Sequence, residues 1–162
     1  MSSSSQRAAS VSKTDLGPLP EWNLNDLYPA IDSPEVAADL VKGDAECIAF
    51  EETYKGKLAE IAAAPDAGEK LAIAIRRFEA IEDLLGRLIS YAGLVYTGDT
   101  TDPKRAKFYG DVQERITTAS SHLLFFTLEL NRIDDALIEK ALQNPAFGHY
   151  RPWIEDVRKE RP

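Results

Sequence analysis

The stretch that decides the fold is DAGEKLAIAIRRFEAIEDLLGRLISYAGLVYTG, residues 66–98. Leu71, Phe78, Leu85 and Ala92 recur at seven residues, and Ala74, Ile81, Leu88 and Val95 recur at seven beside them. At about 100° per residue the two rows merge into one apolar stripe along a long helix. Asp66 stands where an N-cap belongs, and Pro65 closes whatever precedes it. Gly86 and Gly93 cost about 1 kcal/mol each relative to Ala inside a helix. The expected compensation is close packing of a neighbouring backbone at both.

Upstream, Ser33-Pro34-Glu35 supplies an N-cap, a first-turn proline and a first-turn acid. A helix is expected from there to Ala64, since Leu40, Cys47, Tyr54 and Ile61 recur at seven with Val36, Phe50 and Leu58 on the same side. Before it, PEWNLNDLYPAIDSP (residues 20–34) sets Trp22, Leu24, Leu27 and Tyr28 among turn formers and three prolines. That reads as an extended segment with one helical turn, docked through Trp22 and Tyr28. Residues 1–19 are Ser-rich and nearly devoid of large apolar side chains, so a disordered tail is expected, followed by one helical domain over 20–162.

Downstream, Asp102-Pro103 restarts the chain as N-cap and first helical residue. Phe108, Val112, Ile116, Ala119, Leu123, Phe126 and Leu130 then advance by three or four, along one line of a third long helix. Leu124, Phe125 and Leu128 fall on the opposite side, so the second half of that helix needs cover from two directions. Asp134 or Asp135 opens a short helix to Leu142, Asn144-Pro145 breaks it, and a last helical stretch carries Tyr150, Trp153, Ile154 and Val157. Helices of about 30 residues, each ~45 Å long, joined by short loops, should pack as antiparallel neighbours. The expected fold is all-α: an antiparallel up-down helical bundle of three long helices plus two short C-terminal helices on the second face of helix three.

Composition agrees with one core and excludes several functions. The chain has 162 residues, with 19 basic against 27 acidic, a formal charge of −8, and 44% apolar residues. That charge argues against a nucleic-acid partner. No apolar run approaches the ~18 residues of a membrane span, and none near the start resembles a signal-peptide core. The single cysteine, Cys47, precludes a disulfide framework within the chain. A soluble, cytoplasmic, acidic protein without membrane attachment is expected.

Catalytic, cofactor-binding and metal residues are all expected to be absent from this segment. Its two histidines, His122 and His149, are not followed by Glu, so the zinc-protease helix motif HExxH is missing. Ala119 and Ala146 precede them by three, which removes the Glu-x-x-His spacing of di-metal bundles. Gly56-Lys57 lacks the upstream glycine of a phosphate loop. Cys47 belongs to a buried stripe with Asp44 and Glu46 beside it, the wrong surroundings for a reactive thiolate. Glu51-Glu52, Glu82-Asp83 and Asp134-Asp135 suit polar faces and helix starts. Asp99 and Asp102 suit turn and cap roles, with at most a weak cation site over residues 98–102.

Five segments nonetheless go together: Trp22–Tyr28 (WNLNDLY), Ser90–Tyr96 (SYAGLVY), Asp99–Pro103 (DTTDP), Phe125–Asn131 (FFTLELN) and Tyr150–Trp153 (YRPW) running to Arg161-Pro162. In order and spacing the chain resembles the N-terminal region of oligoendopeptidase F, a bacterial member of the thimet-like zinc metallopeptidases. The resemblance implies a cytoplasmic metalloendopeptidase that hydrolyses oligopeptides with one zinc. The metal would be held by the two histidines of an HExxH helix and a downstream Glu, with the Glu inside the motif as general base. None of those residues lies in this chain, so zinc and the substrate belong to the full-length enzyme, and a C-terminal catalytic domain would be this segment's covalent partner. The implied role here is scaffold and wall of a substrate channel. The alternative is a stand-alone helical protein-protein interaction module that presents an apolar stripe to a partner.

Overall fold

The computed structural model describes residues 27–160, which form helices and no strands. The helices are α1 (Pro34–Tyr54), α2 (Leu58–Ala63), α3 (Ala67–Gly98), α4 (Pro103–Ser121), α5 (Leu124–Arg132), α6 (Asp135–Leu142), α7 (Pro145–Gly148) and α8 (Arg151–Lys159). The all-α class is as expected. Residues 1–26, including the tail and Trp22, lie outside the described part, as do Arg161 and Pro162.

The central element is α3, 32 residues long. All eight stripe residues are buried, and α3 meets α1, α2, α4, α6 and α7 along its length. Its start differs from expectation: Asp66 makes no capping bond and instead pairs with Lys70 at 3.4 Å. Elsewhere side-chain caps form as read at Ser33, Asp102 and Asp134, and Asn144, read only as a break, caps the next helix as well. Ser33 Oγ accepts from the Val36 amide at 3.4 Å, Asp102 Oδ1 from Lys104 at 2.9 Å, Asp134 Oδ1 from Ala136 at 3.0 Å and Asn144 Oδ1 from Ala146 at 2.9 Å. Pro34, Pro103 and Pro145 open their helices where no amide is needed.

Two of the three expected long helices are broken. The helix expected to run to Ala64 stops at Tyr54, because Gly56 turns the chain at φ +77°, a left-handed conformation open to glycine at little steric cost. The Gly56 amide leaves the helix ladder and donates to both carboxylate oxygens of Glu129, at 2.7 and 3.0 Å. The expected third helix divides at His122-Leu123. There the His122 and Leu123 amides bond to Ala119 and Ser120, a tightened i→i−3 turn. Ser121 Oγ donates to the Thr118 carbonyl at 2.6 Å in the same turn, the back-bonding by which Ser and Thr bend helices. The break turns Phe125 inward to 9% exposure and leaves Leu124 at 65% and Leu128 at 57%.

The glycine expectation also needs correcting. A Cβ at Gly86 would meet nothing within 4 Å, and one at Gly93 would meet only the Tyr109 ring at 3.6 Å. The close approach falls instead at Gly68, where an added Cβ would collide with the Asn144 side chain and lie 2.9 Å from the Ala141 carbonyl oxygen. There the first turn of α3 is pressed against the α6–α7 corner.

The buried side chains gather into two clusters. The larger surrounds Phe50, Phe78, Phe126 and Phe147 and draws on α1, α2, α3 and the whole C-terminal half. Its rings touch in series: Phe50–Phe126 at 5.1 Å, Phe78–Phe126 at 4.8 Å, and Trp153 stacked on Phe126 at 6.4 Å. The smaller holds Tyr28, Val36, Leu88, Tyr91 and Val112. Tyr28 docks there as read, with its ring edge-on to Tyr91 at 5.0 Å and its hydroxyl donating to Asp39 Oδ2 at 2.7 Å.

Candidate functional site

The cleft that gathers the most polar chemistry lies between α1 and α4, about 500 Å³ in volume. Asp44 and Ile48 line it from α1, and Asp111, Arg115 and Thr118 from α4, with His122 at the end of α4. Arg115 closes one wall by donating to Asp44 Oδ2 from Nη2 at 2.8 Å and from Nε at 3.3 Å. His122 Nδ1 lies 3.4 Å from Glu51 Oε2, both half-buried. Asp111 takes Lys107 Nζ at 2.6 Å, and that bond raises the lysine above its ordinary range. Carboxylates outnumber cations here and each cation already has an anion, so the arrangement ties α1 to α4 without holding a nucleophile next to a base.

The residues singled out in the sequence are not brought together. Cys47 is fully buried, and burial first, then Asp44, Glu46 and Glu82, push its thiol up to about 11. Its thiolate is therefore scarce at neutral pH. His149 is exposed, with its ring edge-on to Tyr150 at 5.2 Å. Asp99 Oδ1 accepts from the Thr101 hydroxyl at 2.6 Å and amide at 3.0 Å, which hold its carboxyl below the usual range. Among the described residues no group of three or more His, Cys, Asp or Glu is placed to hold a metal ion. His122 with Glu51 offers two donors, whereas zinc takes three or four protein ligands, so these residues do not fit a zinc site. No described helix is long and apolar enough to cross a membrane.

What the sequence reading missed is a set of ties made by the C-terminal segment. Glu129 on α5 holds the Gly56 turn. Arg158 on α8 donates to the Leu130 carbonyl at 2.8 Å and the Ile133 carbonyl at 2.9 Å, and pairs with Asp135. It thus adds a charged donor at the C-terminal end of α5, where the Leu130 carbonyl also accepts from the Ile133 amide at 3.3 Å. Phe147 and Ile154 are buried beneath. The available signal for the first tie was Gly56 itself, a helix terminator in the middle of an apolar repeat. Leu124 and Leu128, both on α5, remain an exposed apolar pair beside these ties.

Residues 129–162, the segment that contains Glu129 and Arg158, match the family model described as Oligopeptidase F, an N-terminal peptidase-family region. The resemblance to the N-terminal region of oligoendopeptidase F is thereby supported over that segment. No curated protein and no solved structure matches the chain.

Proposed function

With residues 129–162 carrying the oligopeptidase F pattern, we propose that the chain is the non-catalytic helical N-terminal portion of a zinc metalloendopeptidase that hydrolyses oligopeptides. Residues 20–162 serve as one scaffold domain and contribute to the wall of the substrate channel, and zinc and the reacting groups are supplied by a catalytic portion of the same cytoplasmic enzyme. The observation that carries this reading is the family match over residues 129–162, the segment that holds the Gly56 turn and the end of α5. The exposed pair Leu124 and Leu128 supports it as a surface for the remainder of the enzyme to cover.

The gene tests the proposal directly: its reading frame should contain an HExxH downstream of codon 162, and a native stop immediately after that codon would sink it. The protein tests it independently. The purified 162-residue chain is expected to bind no stoichiometric zinc and to leave a quenched fluorescent oligopeptide intact. Chelator-sensitive turnover by that chain alone would overturn the non-catalytic assignment.

A further inference from the structure

On the outer side of α3, away from the core stripe, an apolar groove of about 840 Å³ runs beside the smaller cluster. Gly86, Ser90, Gly93 and Thr97 form its floor, with Leu27 and Leu94 among its walls and Tyr96 and Tyr109, stacked at 5.3 Å, closing another side. Two glycines remove the side chains a helix would normally present there. Nothing among the described residues comes near enough to Gly86 to explain why, although each glycine costs the helix about 1 kcal/mol. Leu94 is left 37% exposed on the rim.

We propose that this groove is the docking site of residues 20–26 of the same chain, PEWNLND, with Trp22 as the anchor. Leu27, to which the segment is covalently joined through Asp26, is itself part of the groove wall. The lengths agree. From Gly86 to Thr97 the floor runs about 16 Å at 1.5 Å per residue, and the five residues from Leu27 back to Trp22 reach up to ~17 Å when extended. Pro18 and Pro20 favour an extended chain, which lowers the entropy lost on docking. The rim carries one charge of each sign, Asp83 and Arg87, and Arg87, without an ion pair among the described residues, is the one cation it offers to Glu21 or Asp26 of the segment. A tethered segment faces its site at an effective concentration in the millimolar range. A second copy would instead bring another −8 charges to an acidic surface.

The full 162-residue chain with Trp153→Phe leaves Trp22 as the only tryptophan and reads the proposal by fluorescence. Trp22 is expected to emit to the blue of its position in concentrated urea and to be quenched by acrylamide several-fold less efficiently. Gly86→Leu, which fills the floor where a Cβ has free space, should bring quenching up to the urea value with the far-ultraviolet circular dichroism unchanged. If Phe at 153 loosens the core, the difference in emission between the natural chain and Trp22→Phe reports the same quantity. Three results overturn the proposal: Trp22 quenched as freely in buffer as in urea, protection that survives Gly86→Leu, or protection that rises with protein concentration and so assigns the groove to a second copy.

Discussion

The two clusters of the molecule are built on opposite plans. The larger joins many elements: α1, α2 and α3 meet the four short helices α5 to α8, and Phe50, Phe78 and Phe126 stand in mutual ring contact. The smaller is a three-helix contact among α1, α3 and α4, finished by Tyr28 and flanked by the apolar groove. Short helices matter at the ends of a core. A long helix covers a neighbour along one line, and closing a core end requires elements that change direction every few residues.

The sharpest way to break that contrast is to truncate one residue in each cluster. Phe126→Ala should cost about 3–5 kcal/mol, and Val112→Ala about 1–2 kcal/mol as the loss of two buried methyl groups, both read from urea unfolding midpoints. Equal losses would mean that the clusters are not distinct in packing. Gly68→Ala comes next, with about 2 kcal/mol expected from forcing a Cβ against the Ala141 carbonyl. An unchanged midpoint would show that the α6–α7 corner can yield. Of similar size is the alkaline limb contributed by Cys47. Its folded value of about 11 lies above the ordinary thiol value of 9.0, so the protonated thiol stabilises the fold fully below pH 9. That contribution is lost as pH rises through 11, by about 2–3 kcal/mol at most. Tyr28, raised first by burial and then by its bond to Asp39, extends the loss above pH 10. Cys47→Ala should flatten the lower part of the limb in a stability-against-pH series. The smallest effect expected is Glu129→Gln, about 1 kcal/mol for weakening a charged bond at a partly exposed site. A full-sized loss there would give the Gly56 turn a larger share of the fold than its exposure suggests.

The sequence made α3 legible because one apolar stripe runs through it without a competing signal, and each of its eight positions is buried. The break after α1 was hidden by the same logic. Tyr54 and Leu58 are both buried on either side of Gly56, so the repeat continues across a turn that it does not itself record. The division of α4 from α5 did have a local sign in Thr117-Thr118-Ala119-Ser120-Ser121, a run rich in residues that compete for backbone hydrogen bonds. It was outweighed by an apolar line from Phe108 to Leu130 that stays in phase through the kink. Of the polar cleft, the sequence could place His122 beside the stripe, but not opposite Glu51, nor Arg115 opposite Asp44, since those pairings cross from α4 to α1. The groove was visible only as two unexplained glycines.

The Gly56 turn has a consequence for how assembly can be observed. Its amide is withdrawn from the local ladder and held by a carboxylate 73 residues further along the chain. Helix formation in α1 alone cannot protect that proton, because its acceptor arrives only when α5 has docked. Exchange of this single backbone hydrogen therefore reports the arrival of the C-terminal half. In a pulse-labelling series it should become slow later than its neighbours at Phe50 and Tyr54, whose protection needs only their own helix.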